Sequence, residues 1–259
     1  MERVLITGGT GLVGRHLSRF LSEKGYDVAV LSRSGNRDQD SEFRHYHWDI
    51  DSQEIDHSAL DTCDHIIHLA GVNIGEGRWS RHRKQEILDS RIQSANLIFK
   101  NLNPQNSRLK SFISASAVGY YGSDTTEKIH VETDLPDGSF LGEICRLWEQ
   151  SADQFSHSGI RVVKIRTGIV LSKNGGALSR FKMPVKLGLG SALGQGNQYI
   201  PWIHMDDLCS IYLKAIQHTN MTGAYNAVAP EHITNKGLSG KIAMHLKKPF
   251  WFPGIPSII

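Results

Sequence analysis

A chain of 259 residues suffices for one large domain or two modest ones with a substantial buried core. Charged residues make up 21% and the hydrophobic set 39%, which excludes a disordered chain, and a net charge of +3 is too small to point to nucleic acid. The three cysteines are widely separated and suit neither a disulfide framework nor a zinc site. No apolar run reaches the roughly 18–20 residues of a bilayer span, so no membrane partner is expected. Val4-Leu5-Ile6 is too short for a signal-peptide core, and a cytoplasmic protein is expected.

Short β-rich runs alternate with longer helical patterns over the first two thirds, the pattern of a parallel α/β sheet. Val4 to Thr7 reads as a strand buried on both faces. Leu12, Val13, Leu17, Phe20 and Leu21 recur at helical spacing, and Gly25 ends that helix. Val28 to Leu31 gives a second strand, a third ends near Trp48 and Asp49, and His65 to Leu69 is a fourth. A long helix covers Arg83 to Leu102 and closes before Pro104. Ser111 to Ala115 and Arg161 to Ile165 supply two more strands, with a helix from Gly142 to Phe155 between them. From Lys173 to Gln198 six glycines break the pattern into turns. The segment Leu187 to Gln198 has the texture of a mobile lid. The end of the chain, Pro249-Phe250-Trp251-Phe252-Pro253 and Ile258-Ile259, is apolar, from which a natural chain extending beyond Ile259 is expected.

Thr7-Gly8-Gly9-Thr10-Gly11-Leu12-Val13-Gly14 follows a strand and opens an amphipathic helix. Such a glycine turn lets backbone approach a pyrophosphate, and the helix start offers unpaired N–H groups and a favourable dipole. This predicts a doubly wound Rossmann sheet over residues 1–170, binding a nicotinamide dinucleotide, and a smaller substrate-facing lobe over 171–259. NAD-binding versions place an acid at the end of the second strand for the ribose 2′-hydroxyl. Here Ser32-Arg33-Ser34 stands there, with no acid before Asp38. An arginine fork holds a 2′-phosphate that a carboxylate would repel, so NADP is expected rather than NAD. Asp49 either meets the adenine edge or caps a loop.

Five blocks together resemble the short-chain dehydrogenase/reductase superfamily in its extended, nucleotide-sugar-epimerase-like form. They are the TGGxGxxG turn, HLAG at 68–71, SASAVGYYG at 114–122, RTGIVL at 166–171 and PWIHMDD at 201–207. Arg78-Trp79-Ser80, Lys84-Gln85 and Ser90-Arg91, with PWIH, resemble an atypical branch whose members are called epimerase family proteins. The resemblance implies that Leu69, Ala70 and Gly71 contact the cofactor, that Ser116 polarises a substrate hydroxyl or carbonyl, and that Arg166 to Gly168 lie near the nicotinamide end.

The chain departs from that family at the proton-transfer residues. The usual Tyr-x-x-x-Lys pair, in which lysine lowers the tyrosine pKa, is absent from residues 120 to 150; anchoring on Glu149 puts Leu141 and Cys145 at those positions. Tyr120 or Tyr121 is a replacement, with Arg146 or Lys164 as the nearby cation; two tyrosines packed at a strand end is the competing reading. His204 either faces the cleft or serves as a structural donor. His65 and His68 sit three apart on a strand, face opposite sides and cannot share a metal. The basic cluster Arg78, Arg81, Arg83 and Lys84 reads as a solvated face or a clamp for a diphosphate. The expectation is an NADP-dependent oxidoreductase or epimerase-like protein acting on a small molecule, a nucleotide sugar being one candidate. The competing class is a catalytically silent NADP-binding regulator or scaffold.

Overall fold

Val4, Leu5 and Ile6 have no exposed surface, and their strand lies near the middle of the main sheet. The computed structural model describes residues 1–34, 42–103 and 108–251; Asp38, Pro104 and the closing residues 252–259 lie outside the described residues. The chain begins with β1 (Arg3–Thr7), α1 (Leu12–Glu23), β2 (Asp27–Ser32), β3 (Arg44–Asp49) and the short β4 (Glu54–Ile55). Then come α2 (His57–Asp61), β5 (His65–His68), the long α3 (Arg81–Asn101), β6 (Ser111–Ala117), α4 (Phe140–Asp153) and β7 (Arg161–Thr167). The remainder is β8 (Ile169–Ser172), β9 (Gly175–Gly176), α5 (Ala177–Lys186), β10 (Tyr199–Ile200) and β11 (Trp202–His204). It ends with α6 (Met205–Gln217), β12 (Gly223–Ala227), β13 (Ile233–Thr234) and α7 (Asn235–His245).

Eight strands form one sheet in the order β12-β7-β6-β5-β1-β2-β3-β4, parallel throughout except where β4 pairs with β3. The chain runs outward from β1 to β3, then restarts on the other side of β1 with β5. In open α/β sheets, ligands bind beyond the carboxyl ends of the strands where the order reverses in this way.

Side chains alternate across the strands, so each strand feeds both faces. Leu5, Leu31, Ile66 and Phe112 join α2, α3 and α4 on one face; Val4, Ile6, Ile67 and Ile113 join α1 and α6 on the other. Four of the described helices start on short polar side chains that accept a first-turn N–H: Asp56 from Ser58 for α2, Ser80 from Arg83 for α3, Ser139 from Gly142 for α4 and Thr234 from Gly237 for α7.

The boundary expected near residue 170 does not separate the layers. α6 and β12 lie beyond it, yet α6 covers the face shared with α1, and β12 adds a parallel strand to β7. Without that return, Val163, Ile165 and Ile113 would face water and β7 would be an open edge. The separate apolar cluster of the C-terminal part is smaller, built on Leu171, Val185, Ile200, Ile233, Leu238 and Ile242. The glycine-rich stretch also contains α5, which the glycines and Pro184 obscured in the sequence. Residues 187–198 are tied down rather than free, since Leu193 N donates to Asn235 Oδ1 and Lys236 N to Gly196 O. No helix of the described residues is long and apolar enough to cross a membrane.

Phe112 and Phe155, both without exposed surface, stack at 3.7 Å between ring centroids. Phe155→Ala is expected to cost about 3–5 kcal/mol of unfolding free energy, read from urea melts, because the cavity opens where β6 meets the helical layer.

Candidate functional site

The glycine turn between β1 and α1 closes on Gly11 N donating to Gly8 O at 3.0 Å. Gly8 has φ +68, and a Cβ there would stand 2.9 Å from the Leu69 carbonyl. A Cβ at Gly14 would come within 2.2 Å of Gly8 O, so only glycine lets the helix lie so close to its own turn. α1 starts at Gly11 without a side-chain cap, leaving its first N–H groups to an outside acceptor. Arg15 folds back to donate to Thr10 O. Leu12 reaches the other lobe, where a Cβ at Gly176 would stand 2.9 Å from Leu12 Cδ2.

Thr7 was expected as a cofactor contact, but its side chain is fully buried and does other work. Its Oγ1 accepts from both Leu69 N and Ala70 N at 3.1 Å, clipping the exit turn of β5 to the end of β1. Leu69 and Ala70 are thereby held beside the glycine turn. His68, before them, has no exposed surface, and burial together with the Arg91 charge pushes its pKa down to about 3.

At the tip of β2, Ser32 turns inward to His45 Nδ1 at 3.1 Å, while Arg33 is exposed, with only its carbonyl engaged, by His47 Nδ1. None of the ion pairs among the described residues involves Arg33, so its guanidinium is available to an anion at the rim. Asp49 takes the loop-capping role: Oδ1 accepts from Asp51 N at 2.8 Å and Ser52 N at 3.4 Å.

On the other side of the crevice a buried charge network replaces the expected tyrosine–lysine pair. Leu141 and Cys145 of α4 pack against Gly119, in the turn after β6, where a Cβ would lie 3.6 Å from Leu141 and 3.9 Å from the Cys145 sulfur. Burial pushes the Cys145 thiol up to about 11, so it holds its proton at neutral pH. One turn on, Glu149 receives Arg166 in a fork, Nε to Oε1 at 2.7 Å and Nη2 to Oε2 at 2.8 Å, and Ser116 Oγ donates to the same Oε1 at 2.8 Å. Arg166 Nη1 donates further to Tyr121 Oη at 2.8 Å and Glu132 O at 3.0 Å. Arg166 was expected near the nicotinamide as a contact; only 3% exposed and with four donors engaged, it acts as a brace instead. Burial opposes its charge, but the bonds to Glu149 and Tyr121 outweigh that and raise its pKa.

The two tyrosines have different surroundings. Tyr121 Oη donates to Asn226 Oδ1 at 2.8 Å, and burial raises its pKa despite the Arg166 bond, the reverse of what a tyrosine base requires. Tyr120 lies face-on beneath Arg166, with Cζ 3.5 Å from its ring centroid, and no hydrogen bond among the described residues engages its hydroxyl. Of the cations expected nearby, Arg146 is held by Glu143 and Lys164 by Asp153. Gly168 passes under Pro201, whose oxygen a Cβ would approach to 2.6 Å. His204 caps α6, its Nδ1 accepting from Asp206 N. A cavity of 230 Å³ lies beside this network, between Tyr121, Ile129, Tyr199, Ile200, Val228 and Ile233. Glu149, Glu132 and Asn226 had no signal in the sequence, because each acts only through a partner far along the chain.

Residues 4–228 match the model of the NAD dependent epimerase/dehydratase family. An epimerase family protein of Staphylococcus epidermidis is 36% identical over 98% of this chain and 84% of its own length. The epimerase family protein YfhF of Bacillus subtilis is 32% identical over 96% of this chain and 82% of its own. The crystal structure of the human epimerase family protein SDR39U1 with NADPH superposes with a TM-score of 0.83 at 29% identity, covering 97% of this chain and 82% of that one. The nucleoside-diphosphate sugar epimerase of Corynebacterium glutamicum gives 0.80 at 33% identity, over 94% of this chain and 50% of that one.

Two outcomes follow from the buried groups. Glu149→Gln strands the Arg166 charge and is expected to cost about 3–5 kcal/mol in urea melts, with Glu149→Gln/Arg166→Met recovering part of it. Because His68 stays neutral in the fold, the unfolded chain takes up one more proton below its ordinary pKa of about 6.5. Stability from this group is present above that pH and falls by about 1.4 kcal/mol per pH unit on acidification toward its folded value, a slope that His68→Gln should flatten in melts between pH 7 and 5.

Proposed function

The chain belongs to the NAD-dependent epimerase/dehydratase family, and we propose that it is an NADP(H)-dependent oxidoreductase or epimerase-like enzyme acting on a hydroxyl or carbonyl of a small substrate, a nucleotide sugar being the leading candidate. The observation that carries the cofactor is the pairing of an uncapped α1 start with an exposed Arg33 at the tip of β2, in no ion pair among the described residues. The helix start would favour the diphosphate, and the guanidinium would hold the 2′-phosphate. The binding of NADPH by the human relative supports the same choice. Bound NADPH would supply the hydride.

The protein's own part is to orient the reacting group and to manage one proton. Ser116, oriented by the Glu149–Arg166 fork with its hydroxyl proton on Glu149, is left to accept, and so would take a bond from a substrate hydroxyl. Tyr120 is the proton partner, since Tyr121 is spent on Arg166 and Asn226. Tyr121 and Arg166 hold the turn that carries Tyr120.

Leu141 and Cys145 at the usual tyrosine and lysine positions favour a second reading, a catalytically silent NADP-binding regulator or scaffold. Oxidation of NADPH by any member of a carbonyl and sugar-nucleotide panel eliminates it; no turnover across the panel, with tight NADPH binding intact, favours it.

Titration of NADPH and NADH into wild type and Arg33→Ala tests the cofactor. Arg33→Ala should weaken NADPH by roughly 1–3 kcal/mol, about 5- to 150-fold, and leave NADH nearly unchanged. Equal affinity of wild type for the two cofactors would sink the NADP assignment.

A further inference from the structure

The exit turn Leu69-Ala70-Gly71 is gripped from below by one face of α3, and the geometry points to Ser90 and Arg91 as a positioning pair for the nicotinamide half of the cofactor, an inference that rests on the dinucleotide reading above. Val72 is the first residue after the turn. Its N–H donates to Ser90 Oγ at 3.1 Å, and its carbonyl accepts from Arg91 Nη2 at 3.2 Å. Both of its backbone polar groups are thus fixed by consecutive residues of one helix. Ser90 Oγ donates its own proton to Ile87 O at 3.1 Å, and Arg91 Nη1 donates to the same carbonyl at 2.8 Å, so neither side chain is free to swing away.

One turn further along α3, Ser94 holds the residue on the other side of the turn. Ser94 Oγ lies 2.8 Å from His68 Nε2 and 2.7 Å from Ser90 O, joining the strand end to the helix backbone. Ile87, Ser90, Arg91 and Ser94 share one face of the helix, as their spacing of three and four requires. The turn is therefore pinned before it by Ser94, after it by Ser90 and Arg91, and in its middle by Thr7. Gly71 lies directly on the arginine, where a Cβ would stand 3.0 Å from Cζ.

Arg91 is an expensive choice for a purely structural bond. It is 8% exposed, burial lowers its pKa to about 10, and no carboxylate among the described residues offsets its charge. An apolar residue would fill the space at less cost but leave Val72 O unpaired, and a lysine could not bridge two carbonyls in one plane. The planar guanidinium spans Ile87 O and Val72 O while lying 4.9 Å over the Trp148 ring, which ties α3, α4 and the turn together. No hydrogen bond among the described residues joins Ser90 or Arg91 to Arg33 or to the glycine turn, which meets the exit turn separately, through Thr7 and Gly8. Loosening it should affect only what rests on Leu69 to Gly71.

The test compares NADPH with 2′,5′-ADP, which keeps the 2′-phosphate and adenosine but lacks nicotinamide, in fluorescence or calorimetric titrations of wild type, Ser90→Ala, Arg91→Lys and Arg91→Met. Arg91→Met should weaken NADPH about tenfold and Ser90→Ala about threefold, with 2′,5′-ADP within about twofold of wild type and Arg91→Lys intermediate. Unchanged NADPH affinity in the variants, or equal loss for both ligands, would overturn the assignment. Should Arg91→Met fail to fold, the ratio measured for Ser90→Ala decides by the same criterion. Wild type that binds neither ligand would overturn the dinucleotide reading itself, an outcome separate from variants that leave a measurable wild-type ratio unmoved.

Discussion

Backbone meets backbone where β1 and β5 leave the sheet, and the site depends on that approach. A Cβ at Gly8 would stand 2.9 Å from the Leu69 carbonyl carbon and oxygen, and the Thr7 hydroxyl closes the gap by accepting from two amides of the facing turn. The two turns that would carry a dinucleotide are thereby one rigid unit at the point where the strand order reverses. Any side chain at Gly8 or Gly14 would push them apart and widen the floor of the crevice.

The second constraint is electrostatic. Ser116, Glu149, Arg166 and Tyr121 form a chain of short hydrogen bonds across β6, α4 and β7, and Glu132 and Asn226 extend it to β12. A buried ion pair adds little net stability over a well-packed apolar pair, but it is strict about geometry. In this fold it fixes the turn after β6 that presents Tyr120, on the same α4 whose Leu141 and Cys145 face that turn.

α3 completes the frame. Its hydroxyls and one guanidinium reach the residues on either side of the β5 exit turn, and the same guanidinium ties it to α4 through Trp148. Polar residues on a helix face that packs against a sheet are costly unless each finds a partner. Here they find backbone, so the cost is converted into a fixed position for the turn.

The sequence by itself determined the alternation of strands and helices in the first half, the glycine turn and the basic residue at the tip of β2, because these depend on local periodicity and on residues within one βαβ unit. It also showed the missing Tyr-x-x-x-Lys spacing, which is a property of one helix. Tertiary structure alone decided the rest. Thr7 looked like a ligand contact until the chain brought Leu69 beside it; Arg166 looked like a crevice residue until Glu149, seventeen positions away, closed over it. The return of α6 and β12 to the main sheet was hidden for the same reason: covering the face shared with α1 and pairing the edge of β7 are demands of distant surfaces, and no short window of sequence contains both partners.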